Sequence, residues 1–79
     1  MFRITTKVDG NVVVESELSA EGAARLIEGW ASKFSDKEPT RYGMRITLKF
    51  LASLVAQEFH TMNNRAKDGS RHALVVTAI

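Results

Sequence analysis

The chain has 79 residues, of which 44% are apolar and 25% are charged, and its formal net charge is +2. This length supports one hydrophobic core, and this composition is typical of a folded domain rather than a disordered segment. The absence of cysteine excludes a disulfide framework, a thiolate zinc site and a thiol nucleophile. We therefore predict a single domain over residues 1–79.

No segment predicts a membrane span or a signal peptide. The longest strongly apolar stretch, residues 50–56, is far shorter than the roughly 20 residues that cross a bilayer. Residues 1–7 alternate between polar and apolar, so they lack the apolar core of a signal peptide. We expect a cytoplasmic protein with no membrane contact.

The first eighteen residues predict a β-hairpin. Apolar and polar residues alternate over residues 2–8 and again over residues 12–18, with turn-forming residues at 9–11. A loop of three residues pairs Phe2 with Leu18 and gives one mostly apolar face and one charge-matched face. A two-residue loop would set apolar side chains opposite glutamates, so we predict the three-residue loop.

A first helix is predicted over residues 20–34. Ser19 is its expected N-cap, and Glu21 in the first turn suits the positive end of the helix dipole. Apolar residues recur at helical spacing and define the buried stripe, namely Ala23, Leu26, Ile27, Trp30 and Phe34.

The segment after residue 40 fits two patterns. Alternation over residues 43–50 favours a strand, whereas a helical stripe continues to Met62. No glycine, proline or capping residue separates Phe50 from Leu51, so we predict one helix over residues 41–66 with Thr40 as its N-cap. The alternative is a strand at 43–50 followed by a helix at 51–66.

The last segment predicts a turn at residues 68–70 and a strand at residues 72–79. The strand is apolar on both faces, so it needs cover on both sides, either within a sheet or from a second copy of the chain. The order β-β-α-α-β predicts an α+β fold. Its N-terminal hairpin and C-terminal strand form a three-stranded sheet with two helices on one face.

Catalytic and metal-binding motifs are missing from the sequence. The five glycines form no phosphate-binding loop, and His60 and His72 have no carboxylate at ligand spacing. No serine has a nucleophile elbow or a base close by in the sequence. We expect no catalytic residue, no metal and no cofactor, and hence a protein that is not an enzyme.

A basic ridge is the one patterned polar feature. Arg41, Arg45 and Lys49 recur every four residues, so they lie along one side of the predicted second helix. Such cations neutralise phosphates and asparagine reaches base edges, so the ridge could follow a nucleic-acid backbone. Polar residues further along the same predicted side complete the set of candidate partner-binding residues: His60, Asn63, Asn64, Lys67 and Arg71.

A second apolar strip lies beside the main stripe of the same predicted helix. Phe50 and Leu54 project about 100° from that stripe, on the side that also holds Ile46. The strip must be covered by the sheet, by a second copy or by another protein. We therefore add Phe50 and Leu54 to the candidate partner-binding residues and expect a homodimer.

In its small size, and in lacking cysteine and catalytic motifs, the chain is similar to the small proteins with which phages and other mobile elements block host machinery, anti-CRISPR proteins among them. The resemblance implies a non-enzymatic inhibitor that binds and occludes a macromolecular partner, with a protein complex as the expected partner. A small nucleic-acid-binding module that uses the basic ridge is the alternative.

Overall fold

In the computed structural model, residues 1–79 form two antiparallel hairpins separated by two helices. The elements are β1 (Phe2–Val8), β2 (Asn11–Leu18), α1 (Ala20–Ser35), α2 (Arg41–Ser53), β3 (Phe59–Arg65) and β4 (Arg71–Ala78). All strand pairs are antiparallel, in the order β2-β1-β4-β3. The α+β class is confirmed, but the sheet has four strands rather than the three predicted.

The predicted long helix over residues 41–66 is wrong beyond Ser53. Leu54 is extended, with φ −74° and ψ 132°, and Gln57 has a positive φ of 71°, so the chain leaves the helix and turns. Residues 59–65 then pair with β4 as the fourth strand. The alternative strand at 43–50 is also wrong, because those residues lie within α2. Residues 59–65 have apolar side chains at helical spacing, but pairing with β4 stabilises them as a strand instead.

The hydrophobic core lies between the two helices and one face of the sheet. Ile4 on β1 pairs with Val76 on β4, so the two central strands meet at the core. The sequence left two arrangements open for the terminal strand, a central place in the sheet or an edge covered by a second copy. The strand is central, because β4 lies between β1 and β3. Eight buried residues form the core cluster: Ile4, Ala23, Ala24, Ile27, Trp30, Leu51, Leu74 and Val76.

The first hairpin keeps the predicted register over most of its length. Phe2 pairs with Leu18 and Thr6 with Val14, as expected. The predicted three-residue loop is wrong, because Asp9 (φ 50°) and Gly10 (φ 84°) form a two-residue turn. Positive φ at both turn residues gives a twist that matches the strands. Val13 is the extra residue of β2 and forms a β-bulge between the pairs Thr6–Val14 and Lys7–Val12.

Both predicted N-caps are confirmed. The Ser19 hydroxyl accepts the Gly22 N–H at 3.2 Å, and the Thr40 hydroxyl accepts the Gly43 N–H at 2.9 Å. These bonds satisfy backbone donors that have no partner within the helix. At its other end, α1 stops at Asp36, which adopts the left-handed conformation with φ 56°.

A close contact between Glu28 and Gly43 connects the two helices. The Glu28 side chain of α1 lies directly against Gly43 of α2, where an added Cβ would collide with the carboxylate. The same carboxylate accepts a hydrogen bond from the Thr47 hydroxyl at 3.1 Å. This contact links α1 to α2, while the complete burial of Leu51 marks the face of α2 that points inward.

We expect Leu51→Ala to lower the free energy of unfolding by about 2–5 kcal/mol, because Leu51 is 0% exposed and its removal leaves a cavity. The matched control is Ile46→Ala on the same helix, where the side chain is 46% exposed. The control should change stability by less than about 1 kcal/mol. Urea unfolding of both variants measures the difference, and equal losses would contradict the assignment of the buried face.

Candidate functional site

The candidate partner-binding residues do not lie on one continuous helix. Arg41, Arg45 and Lys49 are exposed on α2, as predicted. The others lie on different elements, because the chain leaves the helix after Ser53. His60, Asn63 and Asn64 are on β3, Lys67 is in the turn that follows β3, and Arg71 begins β4.

Strand alternation separates the polar residues of β3 further. His60 and Asn64 pair with Val76 and His72 and lie on the side of the sheet that faces the helices. Asn63 points to the opposite side. The predicted ridge is therefore reduced to the three cations of α2, without an asparagine beside them.

The outward side of α2 combines positive charge with exposed apolar area. It consists of Arg41, Tyr42, Arg45, Ile46 and Lys49, and we call these residues the α2 outer face. Tyr42 is 70% exposed and Ile46 is 46% exposed. None of the three cations forms an ion pair, and α2 contains no acidic residue.

Helix stability does not explain the charge on this face. Arg41 is the first residue of α2, where the positive end of the helix dipole disfavours a cation by roughly 0.3–1 kcal/mol. The last turn of α2, where a cation would be favoured, has no basic residue. The dipole therefore does not account for Arg41, and it has little effect on Arg45 and Lys49, which lie outside the first and last turns.

Phe50 and Leu54 are covered within the chain. The Phe50 ring contacts the His60 ring on β3 in an edge-to-face arrangement, with centroids 5.0 Å apart. Both Phe50 and Leu54 are half-buried and pack against the core cluster. Phe50 is therefore covered in part by β3 and Leu54 in part by the core, and only Ile46 of this apolar strip remains exposed.

The other side of the sheet is not covered by any helix. We call it the open sheet face, and its β4 and β3 half has no charge between Phe59 and Asn63 or between Ala73 and Thr77. Phe59 pairs with Thr77 on this face and is 66% exposed. The β1 and β2 half is charged, and there Arg3 pairs with Glu15 at 3.6 Å and with Glu17 at 3.1 Å.

A serine–histidine contact that sequence reasoning missed lies in the turn between β3 and β4. The Ser70 hydroxyl lies 2.9 Å from Nε2 of His72 and donates to Oδ1 of Asp68 at 2.6 Å. The expectation that no serine has a base nearby is therefore wrong for Ser70. Its hydroxyl proton is directed to Asp68, which also accepts the Ser70 N–H at 2.9 Å, so the network closes the turn.

The fold does not bring three histidine, aspartate or glutamate side chains together as a metal site. No helix is both long enough and apolar enough to cross a membrane.

Hydrogen bonds from the Ser70 hydroxyl and then from its N–H hold the pKa of Asp68 below its usual value. A lowered pKa in the folded state stabilises the fold above the usual carboxyl pKa, and this contribution is lost as the pH falls through the lowered value. We expect Ser70→Ala to raise the pKa of Asp68, measured by NMR titration of its carboxyl carbon. The control Ser53→Ala should leave it unchanged, and an unchanged pKa in Ser70→Ala would contradict the assignment.

Two surfaces thus distinguish the molecule, the α2 outer face and the open sheet face. Comparison with protein-family models, with curated proteins and with solved structures finds no match for this chain.

Proposed function

We propose that the protein is a non-enzymatic inhibitor that binds and occludes an acidic surface of a macromolecular partner through the α2 outer face. A protein complex is the proposed partner. The observation that supports this most directly is the set of three unpaired cations around exposed Tyr42 and Ile46. Small phage and mobile-element inhibitors, such as anti-CRISPR proteins, are the kind of protein that we propose.

The chemistry of the α2 outer face suits a protein partner. Arginine and tyrosine are enriched among the residues that contribute most to protein–protein binding. Exposed apolar area at Tyr42 and Ile46 gains from burial against another protein, while the cations select a partner surface rich in carboxylates. Because Thr40 caps the helix and Thr47 bonds to Glu28, the backbone of α2 loses little conformational freedom on binding.

Nucleic-acid binding is the second candidate, and the same three cations support it. Four helical residues advance about 6 Å, so the ridge extends over roughly 12 Å and reaches only a few phosphates. Asn63 and Asn64 lie on β3, away from the ridge. Any such binding would therefore depend on the phosphate backbone and show little base specificity.

We expect simultaneous replacement of Arg41, Arg45 and Lys49 by glutamine to abolish capture of the partner, because these side chains supply the charge complementarity. The matched control replaces Lys37, Arg65 and Lys67 by glutamine, which removes the same charge from the α1–α2 linker, the end of β3 and the β3–β4 turn. Affinity capture with quantitative mass spectrometry compares the variants. A partner retained by the α2 variant but lost from the control would contradict the proposal.

Fluorescence anisotropy with labelled duplex DNA and single-stranded RNA distinguishes the second candidate. Binding by the intact protein, lost in the α2 variant, would favour nucleic acid over a protein partner. Its affinity for duplex DNA should then fall with salt with a log–log slope of about −0.9 for each neutralised phosphate. No binding at about 50 mM salt would exclude this candidate, because phosphate contacts are strongest at low salt.

Self-association is the further part of this proposal, through the open sheet face. The sheet carries helices on one side only, so its other side is exposed. A specific interface removes at least about 1,200 Å² in total from water, which is about 600 Å² from each copy. The uncharged half around Phe59 and Val75 favours stacking on a second copy, while the charged half stays in solvent.

Stacked open sheet faces would leave both helix layers on the outside of the dimer. Each dimer would then present two copies of the α2 outer face on opposite sides. Occlusion of a partner and self-association therefore use different surfaces and do not compete with each other.

We expect Phe59→Glu to convert a dimer into a folded monomer, because it places a charge in the uncharged half of the open sheet face. Light scattering at about 100 μM, well above a micromolar dissociation constant, measures the mass, and circular dichroism tests the fold. Tyr42→Glu is the control, since Tyr42 is similarly exposed but lies on α2. A monomer mass for the unaltered protein would contradict this part of the proposal.

A further inference from the structure

A groove of about 520 Å³ opens between the second half of α1 and the sheet. Its volume lies within the range of small-molecule sites. Leu26 and Trp30 form the helix side, and Val8 and Val14 belong to the sheet side. Val13, the bulged residue of β2, completes the apolar lining.

The side chains on the buried side of α1 change in size along the helix. Ala23 and Ala24, in the first half of α1, are completely buried, and their small size lets the helix approach the sheet closely. Trp30 needs much more space between helix and sheet. Its ring contacts Phe34, which in turn contacts His72 on β4, each with centroids 5.1 Å apart. This row of rings connects the second half of α1 to β4, and Trp30 and His72 also line the groove.

Gly29 lines the groove at a position where packing does not require a glycine. Glycine is the poorest helix former after proline, and Gly29 lies in the interior of α1. A Cβ added there would meet no atom within 4 Å. The absence of a side chain is therefore unnecessary for the fold, and its effect is to keep the groove open along the helix backbone.

The charge around the groove has one sign. Arg25 and Lys33 line it together with His72, and no carboxylate does. Neither of these two cations forms an ion pair. An apolar interior edged by unpaired cations is complementary to an apolar molecule with a negatively charged end.

We propose that this groove binds an amphipathic anion, an unbranched apolar chain that ends in a carboxylate or a phosphate. The chain lies between Leu26, Trp30 and Val14, and the end group lies beside Arg25 and Lys33. This site is separate from the α2 outer face and from the open sheet face, so it stands independently of the proposed function.

Trp30 is the only tryptophan of the chain and lines the groove, so its fluorescence reports on this part of the protein. We expect decanoate and decyl phosphate, below the concentrations at which they form micelles, to shift the Trp30 emission to shorter wavelength in a saturable way. The more tightly bound of the two identifies the preferred end group. Decyltrimethylammonium, with the same chain and the opposite charge, should bind at least about tenfold more weakly.

Two variants test the two halves of the site. Gly29→Leu should raise the melting temperature, because leucine favours the helix, and yet abolish the saturable shift by filling the groove. The double variant Arg25→Gln with Lys33→Gln should weaken binding about tenfold. The matched control, Arg45→Gln with Lys49→Gln on α2, should bind as the unaltered protein does.

Three results would overturn the proposal. They are the absence of a saturable shift with both anions, unchanged binding in Gly29→Leu, and equal binding of the cationic amphiphile. Gly29→Ala adds only a methyl group to open space, so it should stabilise the helix and keep the affinity within about twofold. None of these results depends on partner capture or on dimer mass, so failure here leaves the proposed function unaffected.

Discussion

The pairing of β1 with β4 is the constraint on which the rest of the fold depends. It brings residues from opposite ends of the chain side by side, with Ile4 next to Val76. Three of the four largest fully buried side chains, Ile4, Leu74 and Val76, lie on these two strands. Either hairpin alone is a two-stranded ribbon with little core. Only their union makes a sheet wide enough to receive α1 and α2 on one side.

Features encoded by neighbouring residues could be predicted from the sequence, and features encoded by distant ones could not. The caps at Ser19 and Thr40 and the register of the first hairpin depend on residues a few positions apart. The fourth strand depends on pairing with β4, and its exposed polar residues make its alternation weak. The alternation within residues 59–65 was therefore weaker than the helical spacing of apolar residues up to Met62, and the sequence predicted a helix there.

The same division applies to the functional surfaces. The cations of α2 recur at helical spacing, so the sequence predicts that they share a side of the helix. The cover of Phe50 comes from His60 and follows only once β3 is known to be a strand. The groove beside Gly29 depends on how closely α1 approaches the sheet. The spacing of apolar residues does not predict the distance between a helix and a sheet. The only local indication in the sequence was a glycine inside an amphipathic helix.

The bulge at Val13 has a consequence for how copies of the protein behave when crowded. β2 is an edge strand, and Val12, Val13 and Val14 on it are 58%, 58% and 50% exposed. An unbroken apolar edge of this kind is a template for fibrous aggregation, in which each chain adds a strand to the last. The extra residue interrupts the ladder at the centre of the three valines and twists the edge locally. A bulged edge is a poorer template for an added strand than a regular one, so the bulge reduces the tendency of this apolar edge to pair with another chain.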